Sequence, residues 1–294
     1  MKAFISIIIP VFNDAEHIDN CLKHILKQDF PKELFEIIVV DNGSCDGSIE
    51  VVKNYKEVTL IMEHERKNSP YSARNRGIEN SKGDIIALLD STCYPHAAWL
   101  SNASNVLEDK SIHILGGDVR FRYDGKPTAA KYYDSLINIK IKESIENHQV
   151  SKTANLFVRK SIFEDIGLFP ESIRSGGDVS WTKEASNRGY VLAFSKDSYV
   201  TKSARSFIPL LHKQWRVSLN QPRIWTKSDG KIKIKRYISI NKLLPPNPIV
   251  IKKLIRTKGH PSMNKYLIHL FIIGYIVKVV MFVGNIVGVF KFRK

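Results

Sequence analysis

At 294 residues, with 43% hydrophobic and 25% charged side chains, the chain has room for one large α/β domain plus an appendage and the composition of a globular protein. Three scattered cysteines, Cys21, Cys45 and Cys93, exclude a disulfide framework or a CxxC metal knuckle and read as reduced, cytosolic thiols. The net charge of +16 is uneven: Lys227 to Lys294 holds 15 Lys or Arg against one acid, Asp229, a local +14 that leaves +2 for the rest. This basic tail runs into the most apolar segment of the chain, so its expected partner is an anionic membrane surface and not nucleic acid.

Phe4–Ile9 reads as a first strand, too short and too soon stopped by Pro10 to be a secretory leader. After the loop Pro10-Val11-Phe12-Asn13-Asp14, Asn13 and Glu16 have the spacing of a capping box, opening a helix with Ile18, Cys21, Leu22 and Ile25 on one face. Phe35–Val40 is the second strand, Ser48–Tyr55 a helix, Val58–Met62 the third strand, and Ser69–Asn80 a loop entering a short helix. Ile85–Leu89 is apolar throughout, as in a strand buried on both faces. Strands and helices alternating at this spacing imply βαβ units and a largely parallel sheet.

Beyond a strand over Ile112–Val119 the pattern loosens. The expectation is a helix over Ala129–Asn147, a short strand at Leu156–Arg159, a helical turn at Ser161–Ile166, and a flexible Ser175-Gly176-Gly177-Asp178 loop before a helix at Val179–Arg188. Residues 1–226 form the expected catalytic domain, its nucleotide half at about 1–120 and its acceptor half at about 121–226, and 227–294 form the tail. Within the tail, 266–290 is about long enough to span a bilayer core of ~30 Å. His269, Lys278 and Asn285 interrupt it, and a central Lys costs roughly 2.5–3.5 kcal/mol on insertion scales. Lys278 and Asn285 fall on one helix face and His269 opposite, which keeps spanning, re-entrant and in-plane placements open.

Two apolar strands run straight into a carboxylate. Ile37-Ile38-Val39-Val40 ends at Asp41, opening Asp41-Asn42-Gly43-Ser44-Cys45-Asp46-Gly47, and Ile85–Leu89 ends at Asp90-Ser91-Thr92. Ligands of open α/β sheets bind at the carboxyl ends of parallel strands. Acids delivered there suit a ribose hydroxyl, a base N–H, or a metal holding phosphates. The plain alternative is that an Asp opening such a loop caps the next helix.

The order of five pieces resembles the family 2 glycosyltransferases of the GT-A fold: Ser6-Ile7-Ile8-Ile9-Pro10-Val11-Phe12-Asn13, Val39-Val40-Asp41-Asn42-Gly43-Ser44, Ala73-Arg74-Asn75-Arg76-Gly77, Leu88-Leu89-Asp90-Ser91-Thr92 and Gly176-Gly177-Asp178. The stretch from Ala154 to Pro170 is similar to that family's acceptor half, and the likeness covers roughly 4–215. It implies that Pro10, Phe12 and Asp41 hold the base and ribose of a nucleotide-sugar donor, with Arg74 near the base or diphosphate. Asp90 would bind ribose or a metal. The last position of the family's metal motif, usually acidic, is here Thr92, so Mg²⁺ or Mn²⁺ would be held with one anionic ligand fewer. Asp178 takes the place of the general base, or caps the helix that follows it. Trp181 would stack on an acceptor ring or simply pack. Asp118 would face the acceptor or form a turn after Gly116-Gly117. His212 is a candidate late metal or diphosphate ligand, or a structural histidine.

The implied protein is an α/β enzyme with a GT-A, mostly parallel sheet. It is an inverting glycosyltransferase at the cytoplasmic face of a membrane, moving sugar from a nucleotide-diphosphate sugar to a lipid-linked or glycan acceptor. Two rivals remain. One is a sugar-phosphate nucleotidyltransferase, against which the first loop lacks the glycine and basic residue that grip a triphosphate. The other is a catalytically degenerate nucleotide-sugar binder, suggested by Thr92.

Overall fold

The computed structural model describes residues 3–64, 69–224 and 243–291. The chain divides into two compact units: Met1–Arg120 with Lys140–Lys202, and Phe121–Ile139 with Ser203–Lys294. The boundary expected at 226/227 falls in 225–242, outside the described residues.

In chain order the elements up to the sixth strand are β1 (Ile5–Val11), α1 (Ala15–Ile25), β2 (Phe35–Asp41), α2 (Ser48–Lys53), β3 (Val58–Met62), α3 (Pro70–Glu79), β4 (Ile85–Leu89), β5 (Cys93–Pro95), α4 (Trp99–Leu107) and β6 (Ile114–Arg122). There follow α5 (Ala129–Ile137, in the second unit), α6 (Ile141–His148), β7 (Asn155–Arg159), α7 (Lys160–Ile166), α8 (Gly177–Asn187) and β8 (Leu192–Ser203). The strands form one eight-stranded sheet in the order β3-β2-β1-β4-β7-β6-β8-β5. Its heart is β1, β2 and β4, whose Ile, Val and Leu side chains are almost wholly buried, as β-branched and apolar runs require when both sheet faces are covered.

Only half of the sheet is parallel. β1 pairs with β2 and β4, and β2 with β3, in parallel, but β7 runs antiparallel to both β4 and β6, and β5 to β8. The register explains where the site sits. Val11 lies opposite Asp41, Asp41 opposite Met62, and Leu89 opposite Asn155. The carboxyl ends of β1, β2 and β4 and the amino end of β7 therefore share one edge. Helix α3 lies close on this sheet because Gly77 has no side chain: a Cβ there would sit 2.5 Å from Ile8 Cγ2 and 3.2 Å from Val40 Cγ2.

Three local expectations are corrected. Asn13 does not cap α1; its side-chain oxygen accepts from Cys45 N (2.8 Å) and its N–H donates to Ser44 Oγ (2.9 Å), tying the first loop to the second. The helix expected over Ala129–Asn147 is two helices, broken where Asn138 turns extended and Ile139 takes φ 50°. β8, with a polar Ser195-Lys196-Asp197-Ser198 stretch in its middle, was not expected at all.

In the second unit, α5 is joined by α9 (Phe207–Ile224), α10 (Pro248–Lys258) and α11 (Leu267–Lys291). Tyr132, Leu136, Ile251, Ile255, Met263 and Leu270 form its core. α11 lies against α9 at glycines: a Cβ on Gly284 would meet Ser218 Oγ at 2.0 Å, and one on Gly288 would meet the Leu219 carbonyl oxygen at 2.4 Å. The opposite side of α11 is open and apolar, with Ile268, Ile272, Tyr275, Val283, Val287 and Phe290 exposed. By length and composition this helix can cross a membrane, and only 28% of its most apolar stretch is buried. Lys278 donates to the Leu244 carbonyl (2.6 Å), and Asn285 is buried.

Candidate active site

Asp41 is fully buried at the end of β2. Its Oδ2 accepts from Gly43 N (2.9 Å) and Ser44 N (3.0 Å), forming the turn that an Asx-Gly sequence favours. Its Oδ1 is buried with no partner among the described residues, as are Asn42 Oδ1 and Arg74 Nε. Such orphaned polar atoms are rare in native proteins and call for an explanation. Beside Asp41, Pro10 is half-buried within β1 and Phe12, just past its end, is 43% exposed.

Ser69 caps α3 and Pro70 opens it, which sets Tyr71 and Arg74 in the first turns. The buried Arg74 donates to the Pro70 carbonyl (3.0 Å) and to Asp90 Oδ1 (2.8 Å), with its guanidinium 5.7 Å from the Tyr71 ring centre. Arg76, two residues on, is exposed. The other oxygen of Asp90 is 3.2 Å from Lys202 Nζ, which also donates to Thr92 Oγ1 and lies 3.7 Å from Cys93 Sγ. Ser91 donates to Asp14 Oδ2, whose other oxygen meets His17 Nδ1 at 2.7 Å.

Asp178 is in the first turn of α8, not at its cap; the cap residue is Gly176, which takes φ 85°. The carboxylate is fixed on both oxygens. Oδ1 accepts from Tyr71 Oη (3.0 Å) and Val179 N (2.9 Å), while Oδ2 accepts from Thr153 N (3.1 Å) and more weakly from Thr153 Oγ1 (3.4 Å). Tyr71 Oη in turn accepts from Gly177 N (2.9 Å), and a Cβ on Gly177 would lie 2.9 Å from the Tyr71 ring. Burial, and then the Asp178 charge, push the Tyr71 phenol far above its ordinary range, so it stays a neutral donor. Burial also lowers the Lys152 ammonium, against the pull of Asp178.

Asp41, Arg74, Asp90 and Asp178 thus lie at one sheet edge, the last three connected in the order Asp90–Arg74–Tyr71–Asp178. Thr92 is tied to Asp90 through Lys202, while Trp181 and Asp118 do not join them. Trp181 packs: it is buried, stacked on Phe163 (4.6 Å between ring centres), near Phe169 (5.1 Å), and donating Nε1–H to the Gly167 carbonyl. Asp118 is on β6 with Gly116 and Gly117, in a strand and not a turn, and its carboxylate pairs with Arg120 at 3.1 Å. His212 is exposed on α9, in the second unit. Among the described residues no three His, Cys, Asp or Glu side chains gather as a metal would require. Tyr71, Thr153 and Lys202 were missed by sequence reasoning, and of these only Lys202 left a trace, as the last in-facing position of the alternation Val200-Thr201-Lys202.

The profile of Glycosyl transferase family 2 matches residues 6–167. The chain belongs to glycosyltransferase family 2. It is 38% identical over 281 residues to glycosyltransferase AglE of Haloferax volcanii, covering 92% of this chain and 91% of that one. It is also 36% identical over 105 residues to the dolichyl N-acetyl-alpha-D-glucosaminyl phosphate 3-beta-D-2,3-diacetamido-2,3-dideoxy-beta-D-glucuronosyltransferase of Methanococcus voltae, there covering only 34% of this chain and 32% of the relative. Its fold is similar to that of mannosyltransferase PcManGT from Pyrobaculum calidifontis, solved with GDP-Man and Mn²⁺, with a TM-score of 0.69 over 99% of this chain and 88% of that one at 18% identity. The mixed sheet with flanking helices is accordingly a GT-A fold, and the protein is a glycosyltransferase.

Proposed function

We propose that this family 2 enzyme transfers a sugar, with inversion, from a nucleotide-diphosphate sugar to a hydroxyl of a lipid-linked or glycan acceptor. Family membership favours this over a nucleotidyltransferase, and the intact Asp178 constellation favours it over a degenerate binder. The observation that carries the reading is the unpartnered, buried Oδ1 of Asp41 at the same edge as Asp90, Arg74 and Asp178. A buried acceptor without a donor costs about 1–3 kcal/mol, which a ligand N–H or hydroxyl removes. Phe12 offers an exposed ring for a base beside it.

In this reading the donor half is held by Pro10, Phe12, Asp41 and Asp90, with Arg74 supplying positive charge near the diphosphate. Asp178 takes the proton from the acceptor hydroxyl as its oxygen attacks the anomeric carbon. Four hydrogen bonds from Tyr71, Val179 and Thr153 hold that carboxylate in one orientation, which is what positioning for general base catalysis asks. The GDP-Man bound to PcManGT and the dolichyl-linked substrate in the name of the Methanococcus voltae relative support a nucleotide-sugar donor and a lipid-linked acceptor.

A divalent ion such as the Mn²⁺ of PcManGT would fall to Asp90, Thr92 and, in the sequence reading, His212. The donor set at Asp90 does not fit it. Arg74 and Lys202 engage the two oxygens of Asp90, Lys202 also engages Thr92, and a hydroxyl replaces the second acid.

The basic tail and the open apolar face of α11 support attachment to an anionic membrane, placed in this reading at the cytoplasmic surface, through a tail whose helices are packed into the second unit on α5 and α9. Exposed contiguous apolar faces of this kind mark membrane or protein contacts. A thermal-shift screen of the purified protein against a panel of nucleotide sugars tests the function directly. Stabilisation by one or more nucleotide sugars is expected, and stabilisation by free nucleoside triphosphates alone would overturn it.

A further inference from the structure

We propose that the Lys202 ammonium does, in this chain, the work of a divalent ion: it holds the donor's distal phosphate and takes up the charge released when the sugar leaves. The inference rests on the nucleotide-sugar reading above.

Lys202 stands on β8 opposite Cys93 on β5, immediately after Asp90-Ser91-Thr92. It is 3% exposed, and its Nζ lies between Asp90 Oδ2 and Thr92 Oγ1. Long cationic side chains are almost never so deeply buried unless paired. One carboxylate here faces two cations, Arg74 at 2.8 Å and Lys202 at 3.2 Å. The neighbouring Asp14 is engaged by Ser91 and His17 instead. The ammonium thus stands between the Asp90 carboxylate and the Thr92 hydroxyl, in the space a divalent ion held by these two side chains would fill. Thr92 fits the same logic. An acid at 92 would pair with the ammonium and cancel it, whereas a hydroxyl accepts one N–H and leaves the charge in place.

The chemistry balances without another reagent. The acceptor oxygen forms its bond to the anomeric carbon, and the proton of that hydroxyl goes to Asp178. The bond from the anomeric carbon to the phosphate oxygen breaks with its electron pair on that oxygen. The diphosphate gains one negative charge, and a single fixed ammonium meets it. A charge already in place stabilises a developing anion without reorganising at the moment of reaction.

The test is calorimetry on the purified full chain with UDP, GDP, CDP, ADP and dTDP, each beside its monophosphate, in excess EDTA and then in excess Mn²⁺. The diphosphate that binds is expected to do so within about threefold in the two conditions, where tenfold would correspond to ~1.4 kcal/mol. Lys202→Gln should weaken that diphosphate by ~10–100-fold, the scale of a charge-assisted contact, while changing its monophosphate far less. Lys202→Arg should recover most of the loss, which a merely structural defect would not predict. Lys202→Gln combined with Thr92→Asp should bind the diphosphate only with Mn²⁺. If the unaltered protein needs Mn²⁺ to bind the diphosphate, the proposal fails and the nucleotide site stands; this arm needs no variant to fold. If none of the nucleotides binds in either condition, the donor site itself falls, and this inference with it.

Discussion

The hydroxyl of Tyr71 donates to Asp178 Oδ1 at 3.0 Å while accepting from the N–H of Gly177 at 2.9 Å. One buried phenol on α3 thereby sets both the carboxylate and the backbone turn that carries it. Tyr71→Phe removes this bridge and leaves the ring in place. A stability loss of about 0.5–1.5 kcal/mol is expected from the lost hydrogen bonds, together with a fall in kcat at unchanged nucleotide affinity. Denaturant melts and steady-state kinetics check it, and an unaltered kcat would remove Tyr71 from the positioning of Asp178.

Asp178→Asn keeps the shape of the side chain and one of its two accepting oxygens but takes away its basicity. Transfer should fall by at least ~100-fold with donor binding retained, the usual scale for a positioned base. Near-normal turnover in this variant would mean that another group takes the acceptor proton.

Asp41→Asn keeps one oxygen for the Gly43 and Ser44 amides and sets an NH₂ where the unpartnered Oδ1 stands. A ligand N–H or hydroxyl would then meet a donor instead of an acceptor. Nucleotide binding should weaken by about 1–3 kcal/mol in calorimetry while the melting temperature moves little. Equal affinity in the two proteins would leave the Asx turn as the whole role of Asp41.

Membrane attachment is read from vesicle flotation. The full chain should float with vesicles containing anionic lipid, each nearby Lys or Arg contributing about 1 kcal/mol. Salt should release part of it, with an apolar remainder held by the face of Ile268, Ile272, Val283 and Val287. Ile272→Glu with Val283→Glu should abolish the salt-resistant fraction. A wild-type protein that stays in the high-speed supernatant and ignores such vesicles would refute the attachment.

The parallel half of the fold was legible because apolar runs mark its strands: Ile85–Leu89, unbroken and buried, matches β4 to the residue, and Val58–Met62, at the end of the sheet and interrupted by the exposed Thr59, matches β3. Beyond β4 the apolar stretches at Ile112–Val119 and Leu156–Arg159 still announced β6 and β7 approximately, but β8, with polar residues through its middle, left no readable run. Asp41 and Asp90 stood out at strand ends and Asp178 after a glycine pair, whereas Arg74 came only from the resemblance carried by Ala73-Arg74-Asn75-Arg76-Gly77. Tyr71 and Lys202 stood out in neither way, since an aromatic in a helix start and a lysine in a strand become neighbours of those acids only through register and packing. Trp181 illustrates the converse: spacing placed it one turn from Asp178, but its indole is used up by Phe163, Phe169 and the Gly167 carbonyl.

The reversal of β7 against β4 has a consequence for tolerance to changes in chain length. Leu89, just before Asp90, is laddered to Asn155, two residues after the Thr153 that fixes Asp178. The gap between the two acids is therefore gauged by backbone rungs. One residue removed between Thr153 and Arg159 would slide this gauge by about 3.3 Å and turn every following side chain to the wrong face. A few residues added to the exposed Asp124-Gly125-Lys126 stretch leave it untouched. An insertion and deletion scan should accordingly find 153–159 intolerant of a single missing residue and 124–126 indifferent to several extra ones.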